Sequence, residues 1–411
     1  MGLWKPLERV QHPIIGGKQM RRRDQRRILS ETLWRKWTLP YIAVLDPARQ
    51  RFVQEAVHGI LASGSMVLSD MARGVQKTST RFFQILKRFS YNLSTKAWAP
   101  GTLHDELLER NAEWVRKDTP VLIDLSEIAK PHARKMPHLA TIRDASSPDK
   151  RKCSGYWLVE AYAEPSRGVV VPLMLVLFST RQRKFVSQNA IVINALERLH
   201  ALLGERGIFV FDRGFDGRRY FDALLELRHR FVVRLRDSRD LVCNDGIKRR
   251  VSRLALRLVR PLDDRGATRA SIVRLPGRDE PLLFTAEPKC VGDPRPIKLL
   301  AWLDADGEDL LRQCRRCRRL YHRRWKAEDG IRFLKSALGL EKVRVMSWRG
   351  LHHMMALALL AMTIIALTTL EPPQWCAQLI RQGRSRNVDA DFLFYRIFRG
   401  IAHLLQRHPL F

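Results

Sequence analysis

The sequence predicts an α/β fold: a mixed sheet flanked by helices, preceded by a helical region and carrying a β-rich insertion. Three observations predict it. From Thr119 onward, apolar runs of strand length alternate with helical patterns. Tyr156–Ala163 and Val169–Phe178 flank the turn Glu164-Pro165-Ser166-Arg167-Gly168, so one side of the sheet is antiparallel. Later runs are separated by helices, which requires crossovers.

The first hundred residues read as helices. Arg51–Ala62 is one, broken by Ser63-Gly64-Ser65; Leu68–Gly74 and Thr78–Phe89 follow, spaced like a helix-turn-helix with small Ala72 at the contact. On the third helix Phe82, Ile85, Leu86 and Phe89 make an apolar stripe, while Thr80, Arg81, Gln84, Lys87 and Arg88 face out. That face suits a DNA major groove, and equally a bundle with a solvated basic side. Residues 1–110 are therefore expected to form a helical DNA-binding region. Residues 119–239 are expected to form the first part of a catalytic core, with a strand at Val121–Leu125, a helix at Ala190–Leu203, a strand at Ile208–Phe211, a helix at Gly217–Leu227 and a strand at Phe231–Leu235. Residues 240–296, rich in Arg, Gly and Pro, read as a β-rich insertion with pieces at Ala270–Leu275 and Pro281–Thr285. Residues 297–372 return to the core through a strand at Ile297–Leu303, one long helix at Leu310–Leu338 and an apolar stretch at Leu351–Leu370. Residues 373–411 form a C-terminal helical region. Although Leu351–Leu370 is long enough to span a bilayer, it holds His352, His353 and three threonines in a very basic chain, so it is expected to be a buried core helix.

Composition narrows the partner. In 411 residues, 74 Lys and Arg against 42 Asp and Glu give a net charge of +32. Self-repulsion on that scale favours a polyanionic partner, nucleic acid above all; it also fits a chain that is simply Arg-rich. A 45% hydrophobic content excludes a disordered basic tail. The six cysteines show no disulfide framework, which fits a reducing cytoplasm, and Cys314-x-x-Cys317 has no second CxxC and only His322 nearby, so no zinc site is expected. No signal peptide is expected, because Arg21–Arg27 precedes any useful apolar run.

Three acids stand out by position. Asp124 interrupts the run Val121-Leu122-Ile123-Asp124-Leu125, and Asp212 ends the run Ile208–Phe211. A lone carboxylate there is costly unless paired or metal-bound, and strand ends are where α/β sheets place their sites. Either alone is explained as well by a salt bridge or a turn cap. Glu328 adds a pattern. Tyr321, Arg324, Glu328 and Lys335 fall within an arc of roughly 60° on an ideal helix. A carboxylate flanked there by bases can bind a cation while the bases hold phosphate, and three such acids suit hard divalent ions that support phosphoryl transfer. Asp216 and Glu127 are expected at the surface or in caps.

The spacing Tyr321-x2-Arg324-x3-Glu328-x6-Lys335 resembles the signature of the DDE transposases of the bacterial insertion-sequence-four family, and Leu122-Ile123-Asp124 and Phe211-Asp212-Arg213-Gly214-Phe215 are similar to its first and second aspartate motifs. The resemblance covers Thr119 to about Leu370. It implies an RNase H-like core in which Asp124, Asp212 and Glu328 are catalytic and hold two Mg²⁺ (or Mn²⁺) ions. It implies that Tyr321, Arg324 and Lys335 contact the phosphates of transposon-end DNA, with terminal inverted repeats, and that a homodimer joins those ends to target DNA. Arg213 ranks below them as a DNA contact, and Arg81, Lys87 and Arg88 are the candidates on the N-terminal helices. Hairpin chemistry in some members uses a tryptophan in or beside the insertion; residues 240–295 contain none, and Trp302, the nearest, is expected to pack in the core. An RNase H-like nuclease that does not join DNA, and an inactive transposase-derived DNA-binding protein, are the alternatives.

Overall fold

Three parallel strands form the centre of the sheet: β1 (Pro120–Ala129), β5 (Ile208–Phe211) and β6 (Arg230–Arg234). The computed structural model describes residues 33–75, 81–144, 149, 151–259, 270–287, 296–304, 307–371, 373–382 and 393–407. Beyond β1 the sheet turns antiparallel through β3 (Lys152–Ser166), whose far side pairs with β2 (Ala140–Arg143) and β4 (Val169–Phe178). The order β4-β3-β1-β5-β6, with only the last three strands parallel, is the RNase H-like arrangement.

On the other side, β11 (Ile297–Trp302) pairs antiparallel with β6 and carries β10 (Leu282–Glu287) and β9 (Ala270–Arg274), then β7 (Asp240–Cys243) and β8 (Lys248–Arg250). The segment after β6 thus extends the central sheet. It also contains a helix, Val251–Val259, where the sequence suggested only β-like pieces.

Helices cover both faces. One face packs against Gln188–Leu203, capped by Ser187 accepting from Ala190 N at 3.1 Å, and against Arg218–Glu226. The other carries the long core helix Trp348–Thr369 and the N-terminal helices Pro47–Ser63, Leu68–Val75, Phe82–Ser94 and Pro100–Ala112. Pro47–Ser63 begins at Asp46, which accepts from Ala48 and Arg49 N, and ends at Gly64 in the left-handed region (φ 69°). It crosses Leu68–Val75 where a Cβ on Gly59 would lie 2.5 Å from the Met71 carbonyl oxygen, a contact only glycine permits. Asn111 ties the layers together: its amide donates to Pro172 O (2.7 Å) and Thr363 Oγ1 (2.9 Å), and its oxygen accepts from Tyr41 (3.0 Å). In the core helix, 94% of the most apolar window is buried, so its apolar character is that of a core.

On Phe82–Ser94, Arg81 and Lys87 are exposed, as the stripe predicts. Arg88 departs from that face, because its guanidinium is ion-paired with Glu55, buried on Pro47–Ser63. The helix start expected at Thr78, Thr80 beside it and the basic run 21–27 lie outside the described residues.

Candidate active site

The stretch expected to be a single helix is two helices and a wide turn. Leu310–Arg323 ends at Arg324, whose N–H bonds Tyr321 O (3.0 Å), a tightened turn; Trp325–Arg332 starts immediately after, and Phe333–Ala337 widens into a π turn. The widened turn carries Phe333 against Phe394, Tyr395 and Phe398, with ring centroids 5.2–5.6 Å apart. An angular count at a constant 100° per residue therefore does not carry through to Lys335.

Asp124 shares one face of β1 with Leu122, on the side occupied by Tyr321 and Ala327. Its Oδ2 lies 3.6 Å from Arg324 Nη1, while Arg324 Nη2 donates to Glu328 Oε1 at 2.6 Å. Burial, reinforced by the charge of Asp212, pushes the Asp124 carboxyl up to about 7, against the opposing pull of Arg324. Asp212 follows β5 and accepts from Gly214 N at 2.7 Å, starting the turn Arg213–Phe215. The three predicted acids thus come to one locus, where β5 ends beside the middle of β1. They do not form a ready cage: among the described residues no three His, Cys, Asp or Glu side chains are placed to hold a metal ion together. Arg324 stands between two of the acids, and the third is turned to its own backbone. The donor set nonetheless suits a hard divalent cation, since mutual repulsion among carboxylates is what such an ion relieves.

Tyr321 is buried, and Arg324 lies over its ring (5.9 Å) and that of exposed Trp325 (5.3 Å). Lys335 Nζ is 3.7 Å from Glu341 Oε1, which also accepts from Ala129 N at the end of β1 (3.2 Å). Arg213 is exposed and lines, with Asp212, Gly214, Arg236 and Asp237, a cavity of about 530 Å³. Trp302 is on β11 and partly buried, in keeping with a packing role.

Asp216, expected at the surface or in a cap, is the C-cap of the turn Arg213–Phe215 and is buried, not exposed. It accepts from Arg236 N (2.7 Å) and from Arg239 Nε (2.7 Å), fixing the chain that leaves β6 beside the site. Glu127 is half-buried on β1, and burial raises its carboxyl. Two residues escaped the sequence reading. Glu160 is fully buried directly opposite Asp124 in the β1–β3 pairing; it accepts from Ser126 Oγ (2.8 Å) and Tyr162 Oη (2.6 Å). Burial and then the Asp124 charge push it up to about 8. The signal was present, since Glu160 interrupts the apolar run Tyr156–Ala163 just as Asp124 interrupts its own. Arg234 ends β6 one residue past the Phe211–Val233 pair, beside Asp212, and no local pattern marks it.

The comparisons with known proteins bear on this locus. Residues 185–364 match the family model described as "Transposase DDE domain". The matched span contains Asp212 and Glu328, with Tyr321, Arg324 and Lys335, and supports a DDE transposase; Asp124 lies ahead of it. No curated protein matches the chain. Among solved structures, the piggyBac transposase synaptic complex with hairpin DNA is similar at 12% identity and a TM-score of 0.46, covering 93% of this chain and 82% of that one.

Proposed function

We propose that this chain is the transposase of a bacterial insertion sequence, cutting transposon ends and transferring their 3′-hydroxyls into target DNA. The observation that carries this reading is the gathering of Asp124, Asp212 and Glu328, far apart in sequence, where β5 ends beside the middle of β1. The family match to residues 185–364 supports the same reading.

Asp124, Asp212 and Glu328 are the residues that would hold Mg²⁺ or Mn²⁺. A pair of such ions, when bound, supplies activation of water or a 3′-hydroxyl and relief of charge on the leaving oxygen. The chain's own residues position the DNA. Arg213 and Lys335 flank the acids and take backbone phosphates, with Arg324 and Tyr321 at the cut itself, and Arg81 and Lys87 present a basic face for the end sequence. Terminal inverted repeats are the specific partner, a homodimer holds two of them together, and the reaction takes place in the bacterial cytoplasm on nucleoid DNA.

The test is a joining assay with the full chain, Mg²⁺ and a plasmid bearing its own flanking DNA. Products in which the 3′ ends are covalently joined to a second plasmid are expected. Cleavage with no joined product in any condition that cuts would replace transposase by nuclease.

A further inference from the structure

The placement of Arg324 points to a function beyond holding phosphate. Its guanidinium bridges Asp124 (3.6 Å) and Glu328 (2.6 Å), the two acids that come from different elements, and its side chain is 8% exposed. The bridge is incomplete. One contact is long, and Nε is buried without a hydrogen bond. A guanidinium has five donors in a fixed fork, and a phosphate can satisfy more of them than this pair does. The backbone yields at the same residue, since Arg324 separates two helices and caps neither with its side chain.

We infer that Arg324 is a displaceable stand-in cation. It holds Asp124 and Glu328 together, a divalent ion on those carboxylates must compete with it, and a DNA phosphate draws it away. Metal affinity and DNA binding are then coupled, each raising the other. The carboxylates become fully available only when a strand is bound, which protects other DNA from an armed site. The inference rests on the proposed metal-dependent reading of these acids.

Titration of the full chain with Mn²⁺ alone, followed by the electron paramagnetic resonance signal of free Mn²⁺, separates the possibilities. Arg324→Gln should tighten Mn²⁺ binding by about tenfold. Lys335→Gln removes a nearby positive charge that does not bridge the acids and should change it by less than about threefold. Arg324→Lys, which keeps a cation but not the fork, should fall between wild type and Arg324→Gln, and circular dichroism checks that each variant is folded. Equal tightening in Arg324→Gln and Lys335→Gln, or none in Arg324→Gln while Asp124→Asn loses binding, overturns the stand-in and leaves the metal reading intact. Unchanged Mn²⁺ binding in Arg324→Gln with Asp124→Asn added overturns both.

Discussion

Asp124, partly buried, and Glu160, fully buried, face each other across β1 and β3, and both carboxyls are pushed up, to about 7 and about 8. A carboxyl raised on folding contributes stability below its unfolded value, and that contribution disappears as pH rises through the folded value. The chain should therefore lose thermal stability between about pH 4 and pH 8. Glu160→Gln keeps the shape and removes the ionisation, so melting curves in chelator should show a flatter dependence at the upper end of that window. A slope identical to wild type would mean that Glu160 does not titrate there. At this scale the sequence was informative wherever an acid broke an apolar run, which holds for Asp124 and Asp212 and also for the overlooked Glu160. It was silent on Arg324 as a bridge, because that depends on β1 and a helix two hundred residues later meeting at one point.

The helix carrying Glu328 is held from two directions. Gly330 lies on Tyr162, where an added Cβ would be 2.8 Å from the ring carbon Cζ. Tyr162 is buried and donates to Glu160, so it cannot retreat freely. Gly330→Ala should cost about 1–3 kcal/mol from overpacking and should reduce cleavage by moving Glu328, read by chemical denaturation beside a cleavage assay; full activity would show that the helix tolerates the shift. At the far end, buried Lys130 donates to the carbonyls of Leu340, Glu341 and Val343 at 2.7–2.8 Å and clamps the segment after Lys335 to β1. Lys130→Met leaves three carbonyls without their donor and should cost about 2–4 kcal/mol by the same measurement.

Element boundaries were legible where burial is uniform. Val169–Phe178 and Ile208–Phe211 are observed as read, because an apolar run bounded by turn residues leaves one register. Short edge strands were not. Ala140–Arg143 is four residues long and Lys248–Arg250 has no apolar residue at all. The helix Val251–Val259 carries Val251, Leu254, Ala255 and Leu258 at helical spacing, obscured by the arginines among them. The break at Arg324 and the π turn were illegible because both lie against tertiary partners, Asp124 at the break and the aromatic cage around Phe333 at the turn.

For the whole molecule, one hydrophobic core joins the N-terminal helices, the long core helix and the face of β1 that carries Asp124, so a change in one layer is felt by the others. With a net charge of +32, the proposed DNA binding should depend steeply on salt. Lys335→Ala should flatten the slope of log affinity against log salt by about one unit, as loss of one phosphate contact does; an unchanged slope would remove Lys335 from the DNA contact. The central claim, that a fold-wide convergence makes Asp124, Asp212 and Glu328 a single catalytic site, is tested most directly by Mg²⁺-dependent cleavage of end DNA by Asp124→Asn, Asp212→Asn and Glu328→Gln. Each should abolish cleavage while DNA binding is largely spared. Near-wild-type cleavage by any one of the three contradicts it.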